Sequence, residues 1–64
     1  MNVEQYLTDL AKLDLEVFLY CDTLYHTSET SSLMLTIETD DGIIGWGETI
    51  TKACEEHERQ REKV

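Results

Sequence analysis

Leu33-Met34-Leu35-Thr36-Ile37-Glu38-Thr39-Asp40-Asp41-Gly42-Ile43-Ile44-Gly45-Trp46-Gly47-Glu48 is the stretch from which the fold of this 64-residue chain can be read. Leu33, Leu35 and Ile37 alternate with Met34, Thr36 and Glu38, the period-two pattern of a half-buried strand. Asp40-Asp41-Gly42 follows, a hairpin signal because glycine takes positive φ without steric cost. The chain then returns from Ile43 to Ile50 as the next strand. Two registers are open. A two-residue turn at Asp41-Gly42 puts Ile44 and Trp46 on the face of Ile37. A three-residue turn with a glycine bulge puts Ile43, Gly45 and Gly47 there and turns Trp46 outward. Two glycines facing a packed helix would let it approach closely, which favours the bulge.

Working back from the hairpin, Thr23 to Ser32 is polar and reads as a loop. Before it, Leu13, Leu15, Val17, Leu19 and Cys21 alternate with Asp14, Glu16, Phe18, Tyr20 and Asp22, which predicts a first strand. Further back, Val3, Tyr6, Leu7, Leu10 and Ala11 recur at helical spacing. Asn2 suits the N-cap, and Gln5 stands where it can close a capping box. The change of period places the helix-to-strand joint near Leu13. Beyond the hairpin, a last helix is expected from about Thr51, capped by Thr49 or Thr51, with Glu55–Arg59 and Glu58–Arg61 pairs along it. Its apolar residues are few (Ala53, Cys54, Val64), so it reads as a solvated helix prone to fraying.

The fold class expected is therefore α+β, an N-terminal helix packed on a three-stranded antiparallel meander and followed by a charged C-terminal helix. The whole chain, residues 1–64, forms a single small domain. A chain this short buries about 60% of its unfolded surface, and its core supplies roughly 3–5 kcal/mol. With 41% apolar residues it has enough to fold.

Charge is the strongest compositional signal: five Lys and Arg against fourteen Asp and Glu, a formal net charge of −9. Residues 1–51 form an acidic body with Lys12 as their single cation, and residues 52–64 are balanced. Such a field repels nucleic acid and anionic membrane and attracts basic protein surfaces. Solubility alone is the plainer explanation of acidity, and the distribution of the charges has to decide between the two. No apolar run is long enough to span a bilayer, and the N-terminus lacks a signal-peptide pattern, so a cytoplasmic protein is expected. Cys21 and Cys54 make no disulfide framework. They read as free thiols, with Cys21 in the core.

Chemistry-bearing constellations are weak. Cys21, His26, Cys54 and His57 are the residue types of a zinc site, but their Cys-x4-His and Cys-x2-His spacings lack the close Cys pair with which zinc modules usually begin. Cys54 and His57 share one helical face without an oxyanion hole or pocket. Asp40 and Asp41 are explained by turn chemistry. Gly45-Trp46-Gly47 is too short for a phosphate cradle, and no basic patch suits nucleic acid. No catalytic residue, metal or cofactor is expected.

What remains is surface. The sheet face away from the N-terminal helix offers Phe18, Tyr20 and Met34, with Trp46 under the bulge register, interleaved with Asp14, Glu16, Asp22 and Glu38. Aromatics beside carboxylates on an open face suggest a contact surface, unless the C-terminal helix covers them. The partner-binding candidates are Asp14, Glu16, Phe18, Tyr20, Asp22, Glu29, Glu38, Asp40, Asp41 and Trp46. A homodimer would equally cover an open face or an edge.

Two resemblances bear on function. The run from Leu33 to Glu48, with its T-D-D-G turn and following G-x-G-E, resembles the strand pair in the N-terminal capping domain of the mandelate racemase and muconate-lactonising branch of the enolase superfamily. It covers about a quarter of the chain and implies a similar hairpin. The catalytic barrel of that family has no counterpart here. In length, acidity and element order the chain also resembles several small phage anti-CRISPR proteins, inhibitors that imitate nucleic-acid charge. That resemblance implies a non-enzymatic inhibitor in the host cytoplasm, binding a basic nucleic-acid-binding protein such as a CRISPR effector. Carboxylates would stand in for phosphates and aromatics would anchor the contact. The alternatives are an antitoxin, immunity or adaptor protein that binds through its aromatic face, and a detached enolase-type cap.

Overall fold

The computed structural model describes the backbone of residues 1–26 and 31–63 and the side chains of residues 1–21 and 34–63. The elements run α1 (Val3–Lys12), β1 (Val17–His26), β2 (Ser31–Thr39), β3 (Ile44–Gly47) and α2 (Ile50–Glu62). The three strands form one antiparallel sheet in the order β1-β2-β3. This is the α+β architecture that the pattern of periods predicts.

Asn2 caps α1 as expected, its side chain accepting the Gln5 backbone N–H at 3.0 Å. The reciprocal half of the capping box does not form, because the Gln5 amide turns along the helix to Asp9 Oδ1 at 2.9 Å. At the other end Leu15 N donates to Leu10 O and Asp14 N to Ala11 O, with Asp14 at φ +64°. These are the two bonds of a Schellman motif, with an aspartate in the left-handed position that glycine usually holds. The motif consumes residues 13–16, so β1 begins at Val17 and not at Leu13. Strand alternation in that stretch was overridden by helix-capping hydrogen bonds.

At the other end of β1, pairing with β2 continues past the expected loop. His26 still pairs with Ser31, after a register shift between Thr23 and Tyr25. Backbone ladder bonds do not require apolar side chains, and Thr and Tyr suit strands. Of the expected loop over 23–32, residues 23–26 and 31–32 are therefore strand; residues 27–30 lie outside the described residues, as does Val64.

The turn takes the bulged register. Thr39 N bonds Ile43 O, Gly42 N bonds Thr39 O, and Gly42 sits at φ +90°. Ile37 then pairs with Gly45 and Leu35 with Gly47, while Thr36 pairs with Trp46. The strand ends at Gly47 because Thr49 turns to cap α2, accepting from Lys52 N at 3.1 Å.

Both helices pack on the same sheet face, and their division of labour is the main departure from expectation. α1 reaches the core through Leu10, but α2 lies directly on the sheet and contributes Ala53, Cys54 and His57, all fully buried. Instead of fraying in solvent, α2 is held at its centre. Ile50, Ala53, Cys54 and His57 fall at the spacing of one helical stripe, and the glycines at 45 and 47 remove the side chains that would hold it off. Cys21, expected in the core, is exposed. So is Leu19 on the same face, at 50%, because the helices stop short of the outer half of β1. β3 pairs only with Leu35–Glu38, so the β1–β2 ladder projects beyond it and the molecule measures 43 × 22 × 19 Å.

Candidate functional site

Two places combine unusual residues: a buried polar chain under α2, and the sheet face opposite both helices.

The buried chain centres on His57. Its Nδ1 lies 2.6 Å from the Tyr6 hydroxyl and its Nε2 2.9 Å from Thr39 Oγ1. Thr39 Oγ1 donates to Asp41 Oδ1 at 2.5 Å, and Arg61 donates to Asp41 Oδ2. A carboxylate only accepts, so the single Thr39 proton goes to Asp41 and the hydroxyl accepts from His57 Nε2–H. Nδ1 is then the acceptor for the Tyr6 O–H. Every group is satisfied with a neutral imidazole. Burial lowers the His57 pKa below its usual 6.5, and the nearby Arg61 charge pushes the same way. Burial raises the Tyr6 hydroxyl to about 12. The Asp41 carboxyl is lowered, first by the Thr39 hydrogen bond and also by Arg61.

This arrangement ties α1, the end of β2, the turn and α2 together through mutually satisfied polar groups. A tyrosine held that far above neutrality is a poor base or nucleophile, and both His57 nitrogens are occupied. Cys54, beside it in the core, has its thiol pushed up by burial, which makes it inert. An open groove of about 250 Å³ lined by Met1, Asn2, Gln5, Tyr6, Asp9 and Glu58 lies near Tyr6. The Tyr6 hydroxyl is turned away to His57. Among the described residues no group of three His, Cys, Asp or Glu side chains could hold a metal ion. Sequence reading placed Cys54 and His57 on a solvated helix. The structure buries both, and the glycines facing them were the available signal.

The network also reassigns the expected ion pairs. Arg59 bonds Glu56 at 2.5 Å instead of Glu55, and holds that carboxyl down at about 2 together with Gln60. Arg61 crosses to Asp41 on the hairpin instead of pairing with Glu58.

On the opposite face, the strand register sets out side chains in rows. Phe18, Glu38 and Ile44 form one row, and Tyr20, Thr36 and Trp46 the next. Phe18, Tyr20 and Trp46 are 48%, 43% and 50% exposed. The Tyr20 hydroxyl reaches diagonally to Glu38 Oε1 at 3.4 Å. α2 lies on the other face, so it does not cover these aromatics.

Of the predicted contact residues, the structure gathers Phe18, Tyr20, Glu38 and Trp46 on this face. Asp22 pairs with Met34 along the same ladder, with its side chain outside the described residues, and Glu29 lies wholly outside them. Asp14 and Glu16 precede β1 and are exposed beside the end of α1. Asp40 is exposed at the hairpin tip, where its Oδ1 accepts from Glu16 N at 3.3 Å. Asp41 is held by Thr39, Ile43 N and Arg61, so its charge is neutralised within the fold.

Among the described residues no helix is long and apolar enough to cross a membrane. No protein-family model, curated protein or solved structure matches the chain.

Proposed function

We propose that this chain is a non-enzymatic binding protein that docks a basic partner on its open sheet face, and that it acts by occupying the nucleic-acid-binding surface of that partner. One observation carries the reading. Residues 13–51, which include the whole sheet, hold eight carboxylates and not one Lys or Arg; two of them, Asp41 and Glu48, pair with Arg61 and Lys52 of α2, and the segment presents Phe18, Tyr20 and Trp46 half-exposed on one face. All five cations belong to the two helical segments (Lys12, Lys52, Arg59, Arg61, Lys63). Had acidity served only solubility, mixed charges over the whole surface would have sufficed. Segregation gives the sheet a one-sign field that steers a cationic surface toward aromatic anchors. An inhibitor of the acidic anti-CRISPR kind, with a CRISPR effector as partner, is the specific form of this reading.

A second reading has its own support. Leu19 and Cys21 are exposed on the helix side of β1, so this edge strand presents apolar side chains on both faces over residues 18–21. An adaptor, antitoxin or immunity protein that grips its partner mainly through apolar contact would use such a strand.

The test is capture of proteins from a cell lysate on the immobilised chain, across a salt series and with competing duplex DNA, alongside Tyr20→Ala and Trp46→Ala chains. A retained basic nucleic-acid-binding protein, released by DNA and by salt and lost with either substitution, supports the first reading. Retention indifferent to salt and DNA but lost with the aromatic substitutions moves the function to the second.

A further inference from the structure

Thr36 lies on the open face, yet it is only 5% exposed. Both helices are on the other side, so strand neighbours must provide its cover. Its direct neighbours are Tyr20 on β1 and Trp46 on β3, the two largest side chains in reach. Their backbones stand about 10 Å apart, two strand spacings, which both rings can bridge by leaning inward. Thr36 is thus a buried floor between two aromatics, Tyr20 at 43% and Trp46 at 50% exposed, whose rings stand on either side of it on the open face. Glu38 stands one row along β2, flanked by Phe18 and Ile44, and Tyr20 steers its carboxylate through the 3.4 Å hydrogen bond.

The geometry points to an arginine-reading platform: a partner arginine lays its guanidinium on the Tyr20–Trp46 rings and pairs its N–H edge with Glu38. This rests on the reading that the face docks a basic partner, and it names the chemical group that is read. A guanidinium is planar and weakly hydrated, stacks on aromatic faces, and presents a fork that fits a carboxylate. A lysine ammonium is a strongly hydrated point charge that gains less from a flat, half-exposed platform. Nucleobases would also stack there, but their phosphates meet the carboxylates of residues 13–51. A second copy of the chain is a poor donor, because its only arginines, Arg59 and Arg61, are engaged by Glu56 and Asp41.

Trp46 is the sole tryptophan, so its fluorescence reports the platform directly. The experiment titrates the full chain with blocked tri-arginine and tri-lysine peptides at low salt, then repeats the titration on Glu38→Gln and on Glu62→Gln, a charge-matched change on the exposed side of α2. Tri-arginine is expected to bind about two- to fivefold more tightly than tri-lysine, the range of an exposed cation–π contact. Glu38→Gln is expected to weaken tri-arginine more than Glu62→Gln does. Equal affinity for the two peptides, or equal effects of the two substitutions, overturns the arginine platform while leaving a basic partner in place. If neither peptide perturbs Trp46 even at low salt, the basic-partner reading falls with it.

Discussion

Gly45 lies so close to His57 that a Cβ added to it would sit 2.3 Å from the His57 backbone nitrogen and 2.6 Å from the Ala53 carbonyl oxygen. Real Cβ atoms do not approach other atoms that closely, and backbone cannot swing aside as a side-chain tip can.

Gly45→Ala is therefore expected to push α2 off the sheet and to cost at least the ~1–3 kcal/mol typical of overpacking. Against a core worth roughly 3–5 kcal/mol, that leaves a marginally stable chain with about 0–4 kcal/mol. Gly47→Ala is expected to be milder, because the closest atom there, at 2.6 Å, is the Lys52 side-chain Cβ, although the Ala53 nitrogen stands at 2.8 Å. Urea unfolding followed by circular dichroism measures both. A Gly45→Ala chain as stable as the native one would mean that α2 does not sit on the glycines.

His57 should make stability fall with acidification well before the carboxylates titrate. Its pKa is lowered in the fold from 6.5, so below that pH the unfolded chain binds a proton that the folded chain refuses. Stability is fully present above pH 6.5 and declines as pH falls below it, with a slope of at most about 1.4 kcal/mol per pH unit. Asp41, lowered from 3.8, withdraws its contribution only below that value. Thermal unfolding across pH 4–7 should show the early decline in the native chain and a flat profile in His57→Gln over the upper part of that range.

Thr39→Val keeps the shape of the side chain but removes the hydroxyl that receives His57 Nε2–H and feeds Asp41. The stranded donor, fully buried, is expected to cost about 1–3 kcal/mol. Thr39→Ser should recover most of that loss. A Thr39→Val chain as stable as the native one would show that the hydroxyl contributes no net stability, and a Ser variant as weak as Val would show that the methyl matters as much as the hydroxyl.

Asp14 holds the left-handed position of the Schellman motif at φ +64°. Asp14→Gly is expected to stabilise the chain by about 0.5–1 kcal/mol, and Asp14→Ala to destabilise it. Comparing the two in urea melts, with partner retention measured in parallel, separates the backbone role of Asp14 from any part its charge plays in binding.

Much of the fold was legible because it rests on short-range rules. Asn2 and Thr49 cap their helices, Gly42 takes positive φ in the turn, and the paired glycines at 45 and 47 chose the register that turns Trp46 outward. Leu13 misled because its alternation with Asp14 competed with a Schellman ending, which wins through two backbone hydrogen bonds. α2 misled because histidine, cysteine and alanine carry little apolar weight. A fully satisfied imidazole packs as well as a leucine, but the residues that satisfy it are distant in sequence.

The sequence by itself determined the elements, their order and the cation-free sheet, and it favoured the bulged hairpin over the two-residue turn, since each depends on residues within a few positions of one another or on composition. Only the tertiary structure decided that α2 forms the core, that Cys21 faces solvent, that Asp41 pairs with Arg61, and that Tyr20 and Trp46 flank a buried Thr36. Those outcomes join residues 51 positions apart in Tyr6–His57 and 20 apart in Asp41–Arg61. Such pairings carry no local signature: they form only once the hydrophobic face of the sheet and the gap left by its glycines have brought α2 down onto them.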